Sequence, residues 1–187
     1  MKFCPNCASP VTLTVPPADN RPRYVCPACS AIHYQNPRIV TGTVCTWGER
    51  ILLCRRAIEP RYGHWTLPAG FMEIGETVGA GAIRETIEEA GARIELQDLY
   101  SMIDVVHAEQ VHVFYRARML GPELDPGPES LEARLFDEQD IPWDELAFKT
   151  VISTLRWFVA DRREGHFGLH TDSIVHQPKA GKLSPRS

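Results

Sequence analysis

Apolar and polar positions along the chain change period several times, and each change marks an element. Residues 38–46 and 50–56 are β-branched, apolar runs separated by Trp47-Gly48-Glu49, which predicts two strands and a turn. A short strand is expected at 65–69, leading into a glycine-containing loop. From 77 to 90 the period lengthens to that of a helix, with Gly91 as its C-terminal stop. Ile83, Ile87 and Ala90, at i, i+4 and i+7, predict its buried face. Gly79 and Gly81 each cost about 1 kcal/mol of helix propensity, so close packing against the backbone is expected there. Strands follow near 93–106 and 110–120, the second alternating Val111, Val113 and Tyr115 with His112, Phe114 and Arg116. A Pro/Gly-rich loop at 122–128 precedes a short strand at 131–136. Pro142-Trp143-Asp144-Glu145 is expected to open a final helix at about 146–163, with Val151, Ile152, Leu155 and Val159 inward. From Thr171 the chain is polar and aperiodic, which predicts a disordered tail over 171–187.

The 187 residues suffice for one domain of ordinary size and a small appendage. The segment 1–35 has few large aliphatic residues and needs a staple to hold a shape. The remainder, 36–170, carries the periodic elements of an α/β domain. A net charge of −4 and a pI of about 6.0 argue against broad electrostatic binding to nucleic acid or to an anionic membrane. No apolar run approaches the roughly 18 residues that cross a bilayer, and Met1-Lys2-Phe3-Cys4 has no apolar signal core. A soluble, cytoplasmic protein is expected.

Six cysteines fall into two groups. Cys4, Cys7, Cys26 and Cys29 form two C-P-x-C pairs 18 residues apart, a zinc-ribbon spacing that predicts a structural Zn²⁺ bound by four thiolates. A redox dithiol is the competing reading, but that motif occurs once and beside a βαβ unit. Ala8 and Ser30 stand where zinc ribbons often carry glycine, so a slightly altered knuckle is expected. Cys45 and Cys54 lie in β-prone apolar stretches and are expected to be buried thiols.

Glu85, Glu88 and Glu89 stand at i, i+3 and i+4, which puts three carboxylates on one helix face. Their mutual repulsion weakens a helix unless a hard cation such as Mg²⁺ sits among them. The window 70–92 matches G-x5-E-x7-R-E-U-x-E-E-x-G-U at Gly70, Glu76, Arg84, Glu85, Glu88, Glu89 and Gly91, and so resembles the Nudix box. Thr86 and Ala92 fill two positions that are usually aliphatic. The resemblance implies an α/β/α Nudix sandwich with a mixed sheet, preceded by the ribbon. It implies Mg²⁺ (or Mn²⁺) held by Glu85 and Glu89, with Glu88 a further ligand or base. It also makes Gly70 a turn that brings backbone to the phosphates, and Arg84 a clamp on Glu76. An acid at the Leu-Glu-Ala position of ribbon-bearing relatives implies Glu132 as a further magnesium ligand, with Glu129 in the same loop as a candidate mobile base. Arg55 and Arg56 are candidates to grip a phosphate. Trp65, Phe71, Tyr62 and Trp143 are candidates to stack a nucleobase or flavin ring.

Two ribbon-bearing Nudix groups are pertinent. NADH pyrophosphatases carry a Ser-Gln-Pro-Trp-Pro-Phe-Pro motif that the region after Tyr100 lacks. Similarity to the plant FAD/ADP-ribose pyrophosphatase group runs from the ribbon through Tyr34-Gln-Asn-Pro, Trp65-Thr-Leu-Pro-Ala-Gly and Ile141-Pro-Trp-Asp-Glu to the final helix. It implies hydrolysis of FAD to FMN and AMP, or of ADP-ribose to AMP and ribose 5-phosphate, by a homodimer. The rival readings are an NADH or capped-RNA pyrophosphatase and a catalytically idle Nudix domain that senses a nucleotide.

Overall fold

The computed structural model describes residues 1–175. The chain divides into two units, the first ending at Pro37.

In the first unit, three short strands form an antiparallel sheet: β1 (Thr12–Thr14), β2 (Arg23–Val25) and β3 (Ile32–His33). A sheet of eight strand residues cannot bury a core, and the buried residues of this unit are Cys4, Pro16 and Cys26. Each cysteine pair closes a knuckle in which the residue after the second cysteine turns back. The N–H of Ala8 donates to the Cys4 carbonyl (2.8 Å) and that of Ser30 to the Cys26 carbonyl (2.9 Å). Both residues have φ of 58°, the left-handed region that favours glycine. The knuckle geometry is therefore kept without glycine, and the alteration expected from sequence is confined to local backbone strain.

The second unit is built on an eight-stranded mixed sheet. Its elements in chain order are β4 (Arg38–Trp47), β5 (Arg50–Arg56), β6 (Trp65–Thr66), β7 (Ala69–Phe71), α1 (Val78–Ala90), β8 (Ile94–Val105), β9 (Gln110–Met119), β10 (Ser130–Phe136), α2 (Lys149–Glu164) and β11 (His170–Ile174). The strand order is β10-β5-β4-β9-β8-β11, with β6 beside β5 and β7 beside β4. β4 and β9 run parallel, as do β8 and β11; the other pairs are antiparallel. Alternation along β5 feeds two cores. Ile51 and Leu53 join Val44, Tyr100, Phe114, Leu155 and Phe158 on the α2 side. Leu52 and Cys54 join Cys45, Ala90, Ala92 and Met119 on the α1 side. This is the expected α/β/α sandwich. Cys45 and Cys54 are buried in it, and burial pushes the Cys45 thiol up to about 12.

Three expectations about elements are corrected. The buried face of α1 is Gly81, Ala82, Thr86, Glu89 and Ala90, while Ile83 is half-buried and Ile87 is 46% exposed. Small residues face the sheet because the helix lies close to it. A Cβ on Gly81 would come within 2.8 Å of the Thr41 methyl and of a Glu76 carboxylate oxygen, and one on Gly79 within 2.9 Å of Leu96. Second, α2 begins at Lys149, because Leu146 and Ala147 are pinned to Trp65 by a bridge and a 2.8 Å backbone hydrogen bond. Pro142 instead precedes a short 3₁₀ turn, Trp143–Glu145. Third, residues 171–174, assigned by their polarity to a disordered tail, belong to β11, which pairs in parallel with β8 at the sheet edge. His170 anchors this strand: its Nε2 lies 2.8 Å from Asp161 Oδ2, and its ring stacks on Trp157 at 4.9 Å. The rest of the tail expectation lies outside the described residues.

The threonine in place of an aliphatic residue at position 86 has a partner. Thr86 is fully buried and donates to the Ala82 carbonyl (2.8 Å). With that hydrogen committed, Thr43 must be the donor in the 2.8 Å bond between the two hydroxyls. Thr86→Val therefore strands the Thr43 hydroxyl and is expected to cost about 1–3 kcal/mol. Thr43→Val is expected to cost less, and the double variant no more than Thr86→Val alone. Urea denaturation of the three variants checks this cycle, and strict additivity would contradict it.

Candidate active site

Thr77 starts α1 by accepting the Ala80 N–H at its hydroxyl (3.1 Å). Gly91, at φ 65°, ends it. Between these caps the glutamates project toward β7 and the loop that follows it. Arg84 organises them. Its Nε and Nη2 donate to the two Glu76 oxygens (3.1 and 2.8 Å), and its Nη1 to Glu85 Oε1 (2.7 Å) and Glu88 Oε2 (3.0 Å). Nη2 also donates to the Phe71 carbonyl (3.0 Å). One guanidinium thus ties the loop after β7 to three carboxylates. Its hydrogen bonds, with the Glu73 N–H on Glu76 Oε1 (2.7 Å), hold the Glu76 carboxyl down to about 2. The clamp expected from sequence is present and reaches further than Glu76.

Glu85 and Glu89 are drawn inward. Glu89 is 7% exposed, and the Ala69 N–H donates to its Oε2 (3.1 Å). Burial, with the negative charges of Glu85 and Glu129 nearby, pushes its carboxyl up to about 8 against the lowering effects of that N–H and of Arg56. Burial likewise raises Glu85, outweighing Arg84. Gly70 is not a turn, as expected, but the central residue of β7, paired with Thr41. Its use is space: any Cβ there would collide with the Glu85 carboxylate. A buried carboxylate beside two others is costly to keep charged, and a hard divalent cation removes that cost. Glu85 and Glu89, with Glu88 at the rim, therefore fit such an ion.

The structure distinguishes the outlying candidates. Glu132 does not join the glutamates of α1. It sits opposite Arg55 in the β10–β5 register, after a bulge between Ser130 and Glu132. Ala133 packs into the α1-side cluster, so alternation sends Glu132 to the other face. Its place near the site is taken by Glu129, whose charge acts on both Glu85 and Glu89. The backbone of Glu129 is held: its carbonyl accepts the Ala57 N–H (2.8 Å) and the adjoining Ser130 N–H donates to the Gly127 carbonyl (3.0 Å). The Pro/Gly loop itself lies on the end of α1, with the Asp125 N–H on the Ala90 carbonyl (2.9 Å). Gly127 lies so near the Glu88 carbonyl that a side chain would strike it.

Arg56 is near enough for its charge to favour ionised Glu89, and its guanidinium lies over the Phe148 ring at 5.1 Å. Arg55 bonds the Gly63 carbonyl (2.9 Å). Trp65 is core, edge-on to Phe136, and Trp143 is packed against the same core. Phe71 and Tyr62 are exposed; only Phe71 adjoins the glutamates, and Arg38 covers its ring at 4.6 Å. His112 is occupied by Gln110 and Thr150 (2.9 and 3.1 Å).

In the ribbon, the four Sγ atoms lie within 4.8 Å of one another. Cys4 and Cys29 are 3.7 Å apart, Cys7 and Cys26 3.5 Å. A tetrahedral zinc with Zn–S bonds of about 2.3 Å sets sulfurs about 3.8 Å apart, so the quartet fits that metal.

A family model described as the NUDIX domain matches residues 36–158. The chain belongs to the NUDIX family. A second model, the zinc ribbon of the Nudix N-terminus, matches residues 2–35 of this NUDIX protein. It is 31% identical over 131 residues to the ADP-ribose pyrophosphatase of Methanocaldococcus jannaschii, covering 66% of this chain and 76% of that one. It is 32% identical over 146 residues to the NAD-capped RNA hydrolase NudC of Stutzerimonas stutzeri, covering 75% of this chain but 50% of that one. The chain thus spans about half the length of the NudC relative. The solved structure of a NUDIX hydrolase from Nitrosomonas europaea superposes with a TM-score of 0.91 at 47% identity, over 93% of this chain and 99% of that one. With its Nudix box unbroken, this NUDIX protein is a pyrophosphohydrolase. No helix among the described residues is long and apolar enough to cross a membrane.

Gly127→Ala should push the loop off α1 and carry Glu129 away from Glu85 and Glu89. The expected cost is about 1–3 kcal/mol in stability, the scale of overpacking, together with lost hydrolytic turnover. Thermal unfolding and turnover measured on the same preparation check this, and a wild-type melting temperature and rate would contradict it.

Proposed function

We propose that this NUDIX protein is a Mg²⁺-dependent pyrophosphatase that cleaves a nucleoside diphosphate joined to a second group, with ADP-ribose as the first substrate to test and FAD as the second. One observation carries the reading: Glu85 lies against Gly70 and Glu89 on the Ala69 N–H, the charge of Glu129 acts on both, and one arginine holds Glu85 and Glu88. Glu85 and Glu89 would hold the metal, with Glu88 and Glu129 beside them. When bound, Mg²⁺ neutralises diphosphate oxygens and makes a coordinated water more acidic. The protein's part is positioning and electrostatics. Arg84 fixes Glu85 and Glu88. The Ala69 N–H orients Glu89. Glu129 would take a proton from an attacking water, and Arg56 would meet a phosphate. Phe71, exposed beside the site, suits a stacked ring better than the buried Trp65.

ADP-ribose is favoured by the archaeal relative of that activity, of which the chain covers three quarters. A second reading, hydrolysis of NAD(H) or an NAD-capped RNA, is favoured by the NudC relative, whose match spans more of this chain. The missing Ser-Gln-Pro-Trp-Pro-Phe-Pro motif weighs against it. Assay of ADP-ribose, FAD, NADH and NAD-capped RNA with Mg²⁺, scoring AMP, FMN and NMN, separates them. ADP-ribose is expected to give the highest kcat/KM, and Glu89→Gln to lower it by about two to four orders of magnitude. Near-wild-type turnover in that variant would contradict the site. Tight nucleotide binding without turnover of any substrate would favour a sensor.

A further inference from the structure

The four sulfurs of the ribbon are not equally supported. The residues Cys7 and Cys29 are exposed. The inner pair is shut away, with Cys4 2% exposed and Cys26 fully buried. Cys4 has a side-chain partner instead. His33 Nε2 lies 3.3 Å from its Sγ. The fold sets that approach. β3 is only Ile32–His33, held by Val25 and Tyr24 of β2, and its hairpin is closed by the Cys26 N–H on the Ala31 carbonyl (2.9 Å).

We propose that His33 is a positioning residue of the zinc site: its Nε2–H donates to the Cys4 sulfur and holds that thiolate for the metal. Zinc takes cysteine as thiolate, which only accepts hydrogen bonds, so in the loaded ribbon His33 is the donor. Four thiolates leave a zinc centre with net negative charge, and N–H bonds into sulfur offset it. Solvent can do this at Cys7 and Cys29 but not at buried Cys4. His33 stands four residues beyond Cys29, near enough in sequence to suggest a fifth member of the motif, yet nothing in the spacing says which sulfur it serves.

The test uses the full chain and does not depend on which diphosphate the catalytic unit hydrolyses. Zinc affinity is measured by competition with a chromophoric chelator in wild type, His33→Phe and His33→Gln. His33→Phe is expected to bind zinc about tenfold more weakly, the scale of a lost outer partner. His33→Gln, whose amide N–H reaches a similar point, should recover most of the affinity. In the Co²⁺-loaded proteins, the sulfur-to-cobalt band should move to lower energy in His33→Phe and stay near wild type in His33→Gln. X-ray absorption of the zinc-loaded wild type should show sulfur neighbours only. Unchanged affinity and band in His33→Phe would overturn the proposal. So would a glutamine variant as poor as the phenylalanine one, which would assign His33 to packing, or a nitrogen in the zinc shell, which would make it a ligand.

Discussion

Glu76, just before α1, and Glu85 and Glu88 on it can stand together because Arg84 sits among them. Without that guanidinium, Glu76, Glu85 and Glu88 would repel one another and the loop after β7 would lose its tie to the helix. The arginine does not reach Glu89, whose carboxylate is left to the Ala69 N–H in a buried setting. The site is thus divided: one part neutralised by the protein, one part left electrostatically unfinished. The unfinished part, Glu89 with half-buried Glu85 beside it, is where we propose that a divalent cation binds.

The sheet makes this division rigid. β7 pairs with β4 along Val40, Thr41 and Gly42, so the Ala69–Gly70 backbone stands fixed in front of α1. Close helix-to-sheet packing through Gly81, Ala82 and Thr86 sets the height of the carboxylates above that backbone. The loop before β10 closes the far side, held by Ala57 and by the end of α1. The strand pairing and the loop's ties are backbone contacts, which side-chain exchange at the surface does not disturb.

The reading of sequence succeeded where chemistry fixes spacing. The helix bounds, its Gly91 stop, the Arg84 clamp and the cysteine quartet all follow from residue types at set intervals. It failed where a neighbour decides. Ile87 looked like core, yet it is 46% exposed, and Thr86 is buried against the sheet instead, with a threonine partner. Glu132 was favoured over Glu129, but the bulge in β10 rotates one away and leaves the other facing α1. β11 was invisible because its side chains are polar and its support is backbone pairing plus one His–Asp contact. His33 carried no signal of its role, since a lone histidine has many uses.

The central claim is that Glu85 and Glu89 form a divalent-cation site while Arg84 stays bound to Glu76 and Glu88. Titration with Mn²⁺, followed by electron paramagnetic resonance of the free ion, tests it without reference to any substrate. Wild type is expected to take up the ion, and the Glu85→Gln/Glu89→Gln double variant to bind it about tenfold or more weakly. Equal uptake by the two proteins would contradict the account.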